Sequence, residues 1–391
     1  MKKTVSLIFI LIFFLTFINV SLAFEKQNTK FSLEKLGISF SGYYKNLFTS
    51  SKTLNTEDNF YLDINRLRLA YKQTFTKNLS LQLTYDQEGL IHDIEHSAEM
   101  DLIRQKNQND LAFLDLDHTA SDKDHMYQRR SLYRAFIQYE TDNLMATLGK
   151  QNIDWGRLRF YSPFDLFNPP SPSDLESDER LGFDALNIEL TSDNFSGINF
   201  IFGPESNSSH TNFGLKLYKK IKTYDLFFIA AKVKKDRVAG LGFDGYIKDA
   251  GFRGEFTYTK KGKEKFPRFS LGIDYNFPNK IYVLAEYFYN GGANGDYDAF
   301  ANSYAEQRNR LSIQKNLISF YMDYEITPLF KFSITNINDP KGQSVYVNPE
   351  LRYNIMKNWD FAVGGQLFFE SKGSEFENCN HTVYFKTKVF F

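Results

Sequence analysis

The sequence predicts an all-β protein, a transmembrane antiparallel β-barrel of about 18 strands, from three observations. Apolar and polar residues alternate with a period of two along most of the chain. Aromatic residues make up 17% of the sequence, although its mean hydropathy is −0.42. Short and long connections follow each other in turn. Strands with lipid on one side and water on the other explain both the alternation and the polar average.

Period-two alternation identifies the strands. It is clearest at 79–86, 252–258, 268–275, 344–355, 359–370 and 382–391. We interpret each of these stretches as a half-buried strand. The weakest region, 235–251, contributes two strands, and without them the count falls from about 18 to about 16, again an even number.

The connections between these strands alternate in length. Short links with turn-forming residues occur at 76–78, 141–143, 192–194, 221–223, 277–280, 326–329 and 356–358. Longer links lie between them, at 49–59, 89–130, 153–182, 204–210, 261–267, 291–311, 338–343 and 371–381. This alternation predicts short periplasmic turns on one side of the barrel and long external loops on the other, with both chain ends on the short-turn side.

The last strand shows the pattern most clearly. One face carries Val383, Phe385, Val389 and Phe391, and the other carries Tyr384, Lys386 and Lys388. An apolar face backed by a polar, largely basic face suits a wall between lipid and a water-filled lumen.

The first residues predict export. Two lysines precede an apolar stretch at 7–18, and small residues at 21–23 suit a cleavage site. This pattern is typical of a signal peptide over 1–23, which leaves 24–37 as a short periplasmic segment and 38–391 as the barrel. A retained membrane helix is the alternative, although the apolar stretch is short for a span of about 20 residues.

The charge balance argues against two classes of partner. The chain has 47 basic and 47 acidic side chains, and this balance favours neither nucleic acid nor an anionic surface. Its one cysteine, Cys379, cannot form an intramolecular disulfide, and we interpret it as a loop residue rather than a nucleophile. No cofactor is predicted.

Taken together, these features resemble the porin superfamily of Gram-negative outer-membrane barrels. The signal peptide, the alternating strands and the terminal Phe391 carry the resemblance. It implies an outer-membrane location with surrounding lipid, and it implies that Phe391 is the signal read by the barrel assembly machinery. Whether the barrel forms a homotrimer stays open.

A second resemblance covers 149–169 and 179–186, which read GKQNIDWGRLRFYSPFDLFNP and ERLGFDAL. These segments are similar to a motif of porin-like barrels, some of them grouped near alginate-export proteins. The motif says little about the substrate.

The long connection 153–182 is the candidate pore constriction. Its prolines fix the backbone without extending the sheet, and in general porins the third external loop folds into the barrel, so the resemblance implies the same here. The residues that we expect to narrow the pore are Trp155, Arg157, Arg159, Asp165, Asp174, Glu179 and Arg180. Arginines facing acids across a narrow pore set up a field that orders polar solutes. The alternative is a rigid surface loop with solvated charges.

Strand parity assigns further charged residues to the lumen. They are Arg66, Arg68, Arg134, Arg253, Glu255, Asp274, Glu286, Asp323 and Arg352. Apolar residues change parity between Phe60–Ile64 and Leu67–Tyr71, so a β-bulge is expected to aim Arg66 and Arg68.

The histidines lie in the inferred external loops. The segment HDIEH at 92–96 fits a zinc-protease pattern, and a short amphipathic helix at 90–105 would place its ligands on one face. A short motif outside its expected fold is a weak signal, so we predict no metal site.

Three functions fit this fold. The first is a channel through which small hydrophilic solutes diffuse. The second is a conduit for a polymer such as an acidic polysaccharide, which predicts a predominantly basic lumen rather than the nearly balanced one inferred. An enzyme is third, because no set of nucleophile and base is convincing. A receptor with an N-terminal plug is disfavoured, because 24–37 leaves no room for one.

Overall fold

The computed structural model describes residues 36–53, 58–94, 100, 101, 103, 104, 113–123, 125–169, 171–176, 180, 182–192, 194–204, 211–295 and 311–391. These residues form one antiparallel sheet of 19 strands. In chain order the strands are β1 (Ile38–Lys52), β2 (Asn59–Thr74), β3 (Leu79–His92), β4 (Asp117–Lys123), β5 (Met126–Glu140), β6 (Leu144–Gln151), β7 (Phe183–Ser192), β8 (Ser196–Gly203), β9 (Asn212–Ile221), β10 (Tyr224–Val233), β11 (Asp236–Ile247), β12 (Ala250–Lys261), β13 (Glu264–Asn276), β14 (Ile281–Asn290), β15 (Asn316–Thr327), β16 (Phe330–Asp339), β17 (Ser344–Met356), β18 (Trp359–Phe369) and β19 (Thr382–Phe390).

The sheet closes into a barrel because β1 pairs with both β2 and β19. Beyond the last strand, the backbone N–H of Phe391 donates to the carbonyl oxygen of Gly42 at 3.0 Å, and the N–H of Gly42 donates back at 2.9 Å. With β4 left out of the 19 strands, 18 strands form the wall, and the predicted strand number and antiparallel barrel are confirmed. Within the described residues, no helix is both long and apolar enough to cross a membrane.

Strand β4 was not expected, since it lies inside the predicted connection 89–130. It pairs with the first half of β5, at 126–131, whereas β6 pairs with the second half, at 135–140. The strand β6 ends early, at Gln151, where the chain leaves the wall. A vacant edge beside β5 presents unpaired backbone groups, and β4 pairs with it.

The strands β10 to β13 pair in unbroken register, so the region with the weakest sequence signal forms regular wall. The long link predicted at 261–267 is wrong, because β12 runs to Lys261 and β13 begins at Glu264. The remaining short and long links lie at opposite ends of the barrel, as predicted. We call them the turn end, which carries the short links and Phe391, and the loop end.

Inward and outward faces follow the predicted parity in the last strand. The side chains of Val383 and Phe385 are 49% and 46% exposed on the outer face, whereas Tyr384 is 2% exposed and points into the lumen. The predicted bulge in β2 is wrong, because β2 pairs with β1 and β3 without a register shift. Phe60 and Leu62 lie on the same inner face as Arg66.

The apparent parity change in β2 has another cause. At the loop end, Phe60 and Leu62 pack inside the barrel against Leu90, Met100 and Tyr127. They are apolar because a folded connection covers them, not because they face lipid. Of the predicted N-terminal segments, 1–23 and 24–35 lie outside the described residues.

Candidate functional site

The connection from β6 to β7 lies inside the barrel. The Nε1 of Trp155 donates to Asn199 of β8 at 2.8 Å, and the Nζ of Lys216 of β9 donates to the carbonyl oxygen of Trp155 at 3.2 Å. On the far side, the amide of Gln366 of β18 donates to the carbonyl oxygen of Ser173 at 2.6 Å. A segment that contacts inward side chains on opposite parts of a closed wall runs through the lumen. We call 152–182 the inserted loop.

The carboxylate of Glu255 on β12 holds the first half of the inserted loop. It accepts hydrogen bonds from the backbone N–H of Arg157 at 2.6 Å, from the hydroxyl of Ser162 at 2.6 Å and from the N–H of Phe164 at 3.1 Å. The side chain of Glu255 is 3% exposed. This residue was predicted to face the lumen, and the structure shows it bonded to the loop.

A second wall carboxylate acts in the same way. Glu286 on β14 accepts from the backbone N–H groups of Arg159 at 2.7 Å and Phe160 at 2.9 Å. Two strands away from Glu255, it fixes the next residues of the same loop. Buried backbone N–H groups in a loop without a sheet partner need such acceptors. Glu255 and Glu286 therefore supply what a neighbouring strand supplies elsewhere.

Aromatic packing completes the anchorage of the loop. Trp155, Phe164 and Phe167 pack against Ile201 and Phe227 of the wall. A side chain at Gly240 or Gly242 would place its Cβ 2.9 Å from the ring of Phe164. These two glycines of β11 therefore make room for the loop. Further along, the ring of Tyr161 stacks on that of Phe288 at 5.1 Å.

Most of the residues predicted to narrow the pore are engaged within the loop or with the wall. Trp155 is buried against the inner side of the wall. The Nη1 of Arg180 lies 3.4 Å from Asp165 and 3.3 Å from Asp154. Asp174 accepts from the backbone N–H of Glu176 at 3.0 Å. Glu179 lies outside the described residues.

Of the predicted constriction residues that the structure describes, Arg157 and Arg159 are the exposed ones. Their guanidinium groups lie over wall aromatics, Arg157 over Phe227 at 5.0 Å and Arg159 over Tyr321 at 3.8 Å. Arg180 and Asp165 form an ion pair, but both lie in the inserted loop, so this pair does not cross the pore.

Glu176 holds the second half of the loop and was not predicted. Its carboxylate accepts two hydrogen bonds from Arg66, at 2.9 and 3.0 Å, and forms an ion pair with Lys45. Arg66 also pairs with Glu88. The bonded residues Arg66 and Glu176 are 110 positions apart, so no local pattern could have revealed the pair.

The β-bulge beside the lumen arginines lies in β5 rather than in β2. The pairing of β3 with β5 shifts register between Thr84 and Tyr85, which leaves Tyr133 as the extra residue beside Arg134. The guanidinium groups of Arg68 and Arg134 lie 3.6 and 3.9 Å from the ring centre of Tyr133. A bulge places neighbouring side chains on one face, which brings Tyr133 between the two arginines.

The remaining predicted lumen charges form pairs between strands. Arg68 binds Asp86, with its Nε at 2.6 Å, Arg253 binds Asp274, and the Nη2 of Arg352 lies 2.6 Å from Asp323. These three wall cations are thus neutralised by acids on the adjacent strand or, for Arg352 of β17 and Asp323 of β15, on the next strand but one.

The histidine motif gives no metal site among the described residues. The Nδ1 of His92 lies 2.6 Å from the carbonyl oxygen of Ile94, and its ring lies 6.1 Å from that of His125. Glu95 and His96 lie outside the described residues. No group of three potential ligands occurs in the part of the chain that the structure describes.

At the loop end, a buried carboxylate joins two connections. Glu375 accepts hydrogen bonds from the hydroxyl of Ser312 at 2.8 Å and from the backbone N–H groups of Ile313 at 3.0 Å and Gln314 at 3.1 Å. Asp339 accepts from the N–H of Glu375 at 3.2 Å. Burial raises the pKa of Glu375 to about 8, although these three donors lower it, and the nearby Asp339 raises it further.

This pKa predicts that the contact weakens as pH rises. The folded state keeps a proton on Glu375 up to about pH 8, whereas the unfolded chain loses it near its usual pKa of about 4.3. The stabilisation is therefore complete below the unfolded pKa and is lost as pH rises through about 8. We expect the amides of Ile313 and Gln314 to exchange hydrogen faster at pH 9 than at pH 5, after correction for intrinsic rates.

In Glu375→Gln, which cannot ionise, this difference should disappear. Equal pH dependence in the wild type and the variant would show that Glu375 does not control the contact.

Comparison with known proteins rests on structure. No protein-family model matches the sequence, and no curated protein matches it. Acinetobacter baumannii OccAB1 is similar in structure, with a TM-score of 0.57 at 9% identity over 90% of this chain and 96% of that one. Pseudomonas aeruginosa OccK5 (OpdH) gives a TM-score of 0.56 at 9% identity over 90% and 97%.

The outer membrane protein OprD from Pseudomonas aeruginosa gives a TM-score of 0.55 at 10% identity, over 91% of this chain and 94% of that one. The expected link to alginate-export barrels receives no support from these structures. At such low identity the similarity concerns the fold. We conclude that this chain folds as a closed 18-strand antiparallel barrel of the kind found in the outer membrane protein OprD.

Proposed function

We propose that the protein is an outer-membrane channel through which small hydrophilic solutes diffuse, with the inserted loop as its constriction. The observation that carries the proposal is the attachment of this loop to opposite walls of the lumen by Glu255, Glu286 and Arg66. A loop held in this way narrows the passage without depending on its own flexibility. The turn end then faces the periplasm and the loop end faces outward.

The outer face of the barrel supports the membrane location. Its exposed side chains in mid-strand are apolar in most strands, as Leu241, Phe256 and Ile273 illustrate at 61%, 44% and 47% exposure. Large apolar surfaces on a protein mark contact with lipid or with other proteins. The fold shared with OprD, described as an outer membrane protein, agrees with this location.

The charge distribution disfavours a polymer conduit. Such a conduit calls for a predominantly basic lumen, whereas Arg68, Arg253 and Arg352 are each paired with an acid of the wall. We propose that the protein acts in transport and catalyses no reaction. We also infer that Phe391 is the assembly signal, because its backbone closes the seam with Gly42.

Single-channel recording of the refolded chain 24–391 in a planar bilayer tests the proposal. We expect stable openings in symmetric salt and, under a salt gradient, a small reversal potential that indicates weak ion selectivity. A folded protein that never conducts would contradict the proposal.

A further inference from the structure

Four cations form one continuous row on the outer face of the barrel. Lys232 of β10 pairs directly with Arg237 of β11, Arg237 pairs with Lys260 of β12, and Lys260 pairs with Lys265 of β13. Adjacent strands lie about 4.8 Å apart, so the row is about 14 Å long. We call these four residues the cation row.

The parity of each strand places the cation row outside the barrel. Lys232 shares a face with Phe228, Arg237 with Leu241, Lys260 with Tyr258, and Lys265 with Leu271, and these four apolar side chains are 39%, 61%, 48% and 43% exposed on the outer surface. Arg237, Lys260 and Lys265 are exposed and Lys232 is half-buried. Within the described residues, none of the four forms a salt bridge.

Such a row is unfavourable unless a ligand compensates it. Like charges directly opposite each other in a sheet are destabilising. The acids of the same two hairpins, Asp236 and Glu264, have the opposite parity in their strands and lie on the inner face. The hairpins thus separate charge across the wall and leave the outer face purely basic at this level.

The strand lengths place the cation row at the membrane surface. Strands β10, β11, β12 and β13 have 10, 12, 12 and 13 residues, and a tilted strand needs about 9–11 residues to span a bilayer. Each cation is the second residue from the loop end of its strand. The row therefore lies at the depth of lipid headgroups rather than above them in water.

A shallow apolar groove begins at the same row. It has a volume of about 340 Å³ and is lined on the outer face by Phe200, Phe213, Leu215 and Ala230, with Lys232 and Arg237 at its loop end. Apolar walls with cations at one end match a molecule with a hydrocarbon tail and an anionic head.

We propose that the cation row binds the phosphate groups of a phosphorylated, acylated lipid in the outer leaflet of the membrane, and that one acyl chain of this lipid lies in the groove. The proposal rests on the membrane location given above, but not on conduction. The neutral net charge of the chain gave no hint of such a partner, because the compensating acids face the lumen.

Native mass spectrometry of the mature chain in detergent tests the lipid site. The probe is a diphosphorylated, multiply acylated disaccharide lipid, compared with its dephosphorylated form and with its water-soluble deacylated headgroup. We expect the wild type to retain the diphosphorylated lipid about tenfold or more over the dephosphorylated one. We expect the variant with Lys232→Gln, Arg237→Gln, Lys260→Gln and Lys265→Gln to lose this preference.

A matched control carries the same change of charge at the turn end, as Lys77→Gln, Lys222→Gln, Lys248→Gln and Lys357→Gln. It should retain the lipid as the wild type does. A second variant, Ala230→Phe, fills the groove and should weaken retention of the lipid without removing a charge. In detergent without lipid, the variant of the cation row should unfold at the same temperature as the wild type or at a higher one, because its repulsion is relieved.

Equal retention by the wild type and the cation-row variant would overturn the proposal. So would binding of the deacylated headgroup as strongly as the whole lipid, since that would indicate a site for soluble anions. Conductance is measured separately, in bilayers of zwitterionic lipid. Loss of lipid retention with normal conductance would count against the lipid site alone, and absence of conductance would count against the channel alone.

Discussion

Deletion of residues 157–178 is expected to increase the single-channel conductance severalfold. The deleted segment runs along the lumen from β9 to β18 and carries the contacts of Arg157, Tyr161 and Ser173 with the wall. Conductance depends on the narrowest part of a pore, and removal of the segment widens that part. The measurement is the step size in a planar bilayer, for chains whose folding is checked by their heat-dependent mobility on gels.

The control for this deletion removes 296–310 from another long connection, between β14 and β15. An equal rise in conductance in this control would show that the effect is not specific to the inserted loop. If the deletion of 157–178 folds and conducts like the wild type, the inserted loop is not the constriction.

The double substitution Glu255→Gln and Glu286→Gln is expected to release the inserted loop while leaving its sequence intact. Each carboxylate uses both oxygens as acceptors for loop donors. A glutamine turns one oxygen into an NH₂ donor, which then faces a backbone N–H or a hydroxyl. A buried donor without a partner costs about 1–3 kcal/mol, and each site creates at least one.

The released loop should show itself in two measurements. Open-channel current should become noisier and larger on average, and trypsin should cleave after Arg157 or Arg159 faster than in the wild type. Glu325→Gln is the matched control, because this glutamate pairs with Lys280 at the turn end and contacts no part of the loop that the structure describes. Unchanged current and protease resistance in the double variant would show that the two carboxylates are dispensable as anchors.

The two anchors also explain why the loop charges were only partly predictable. Parity assigned Glu255 and Glu286 to the inner face, because the period of two is a local property of each strand. Parity gives no information about which group a side chain contacts. Glu255 and Glu286 contact backbone N–H groups of the inserted loop, 98 and 127 positions away in the sequence. Carboxylates that were expected to face solvent are therefore acceptors for a folded segment.

The sequence by itself determined the barrel, its strand order and the orientation of the last strand. Except at the seam between β1 and β19, each strand pairs with neighbours that are close along the chain. The same alternation recurs from strand to strand, so an error in one strand leaves the architecture unchanged. Even the region 235–251, whose sequence pattern is weak, forms part of the barrel wall. Strands β11 and β12 pair there with each other and with the neighbouring strands β10 and β13.

Only the tertiary structure decided the path of the inserted loop, the bulge at Tyr133 and the inward burial of Phe60 and Leu62. Each depends on contacts between segments that are distant in sequence, made by one or two hydrogen bonds or by the packing of a few rings. Such contacts leave no periodic pattern in the chain. They exist because closing the barrel brings its walls around the loop, and that closure is a property of the whole sheet rather than of any one strand.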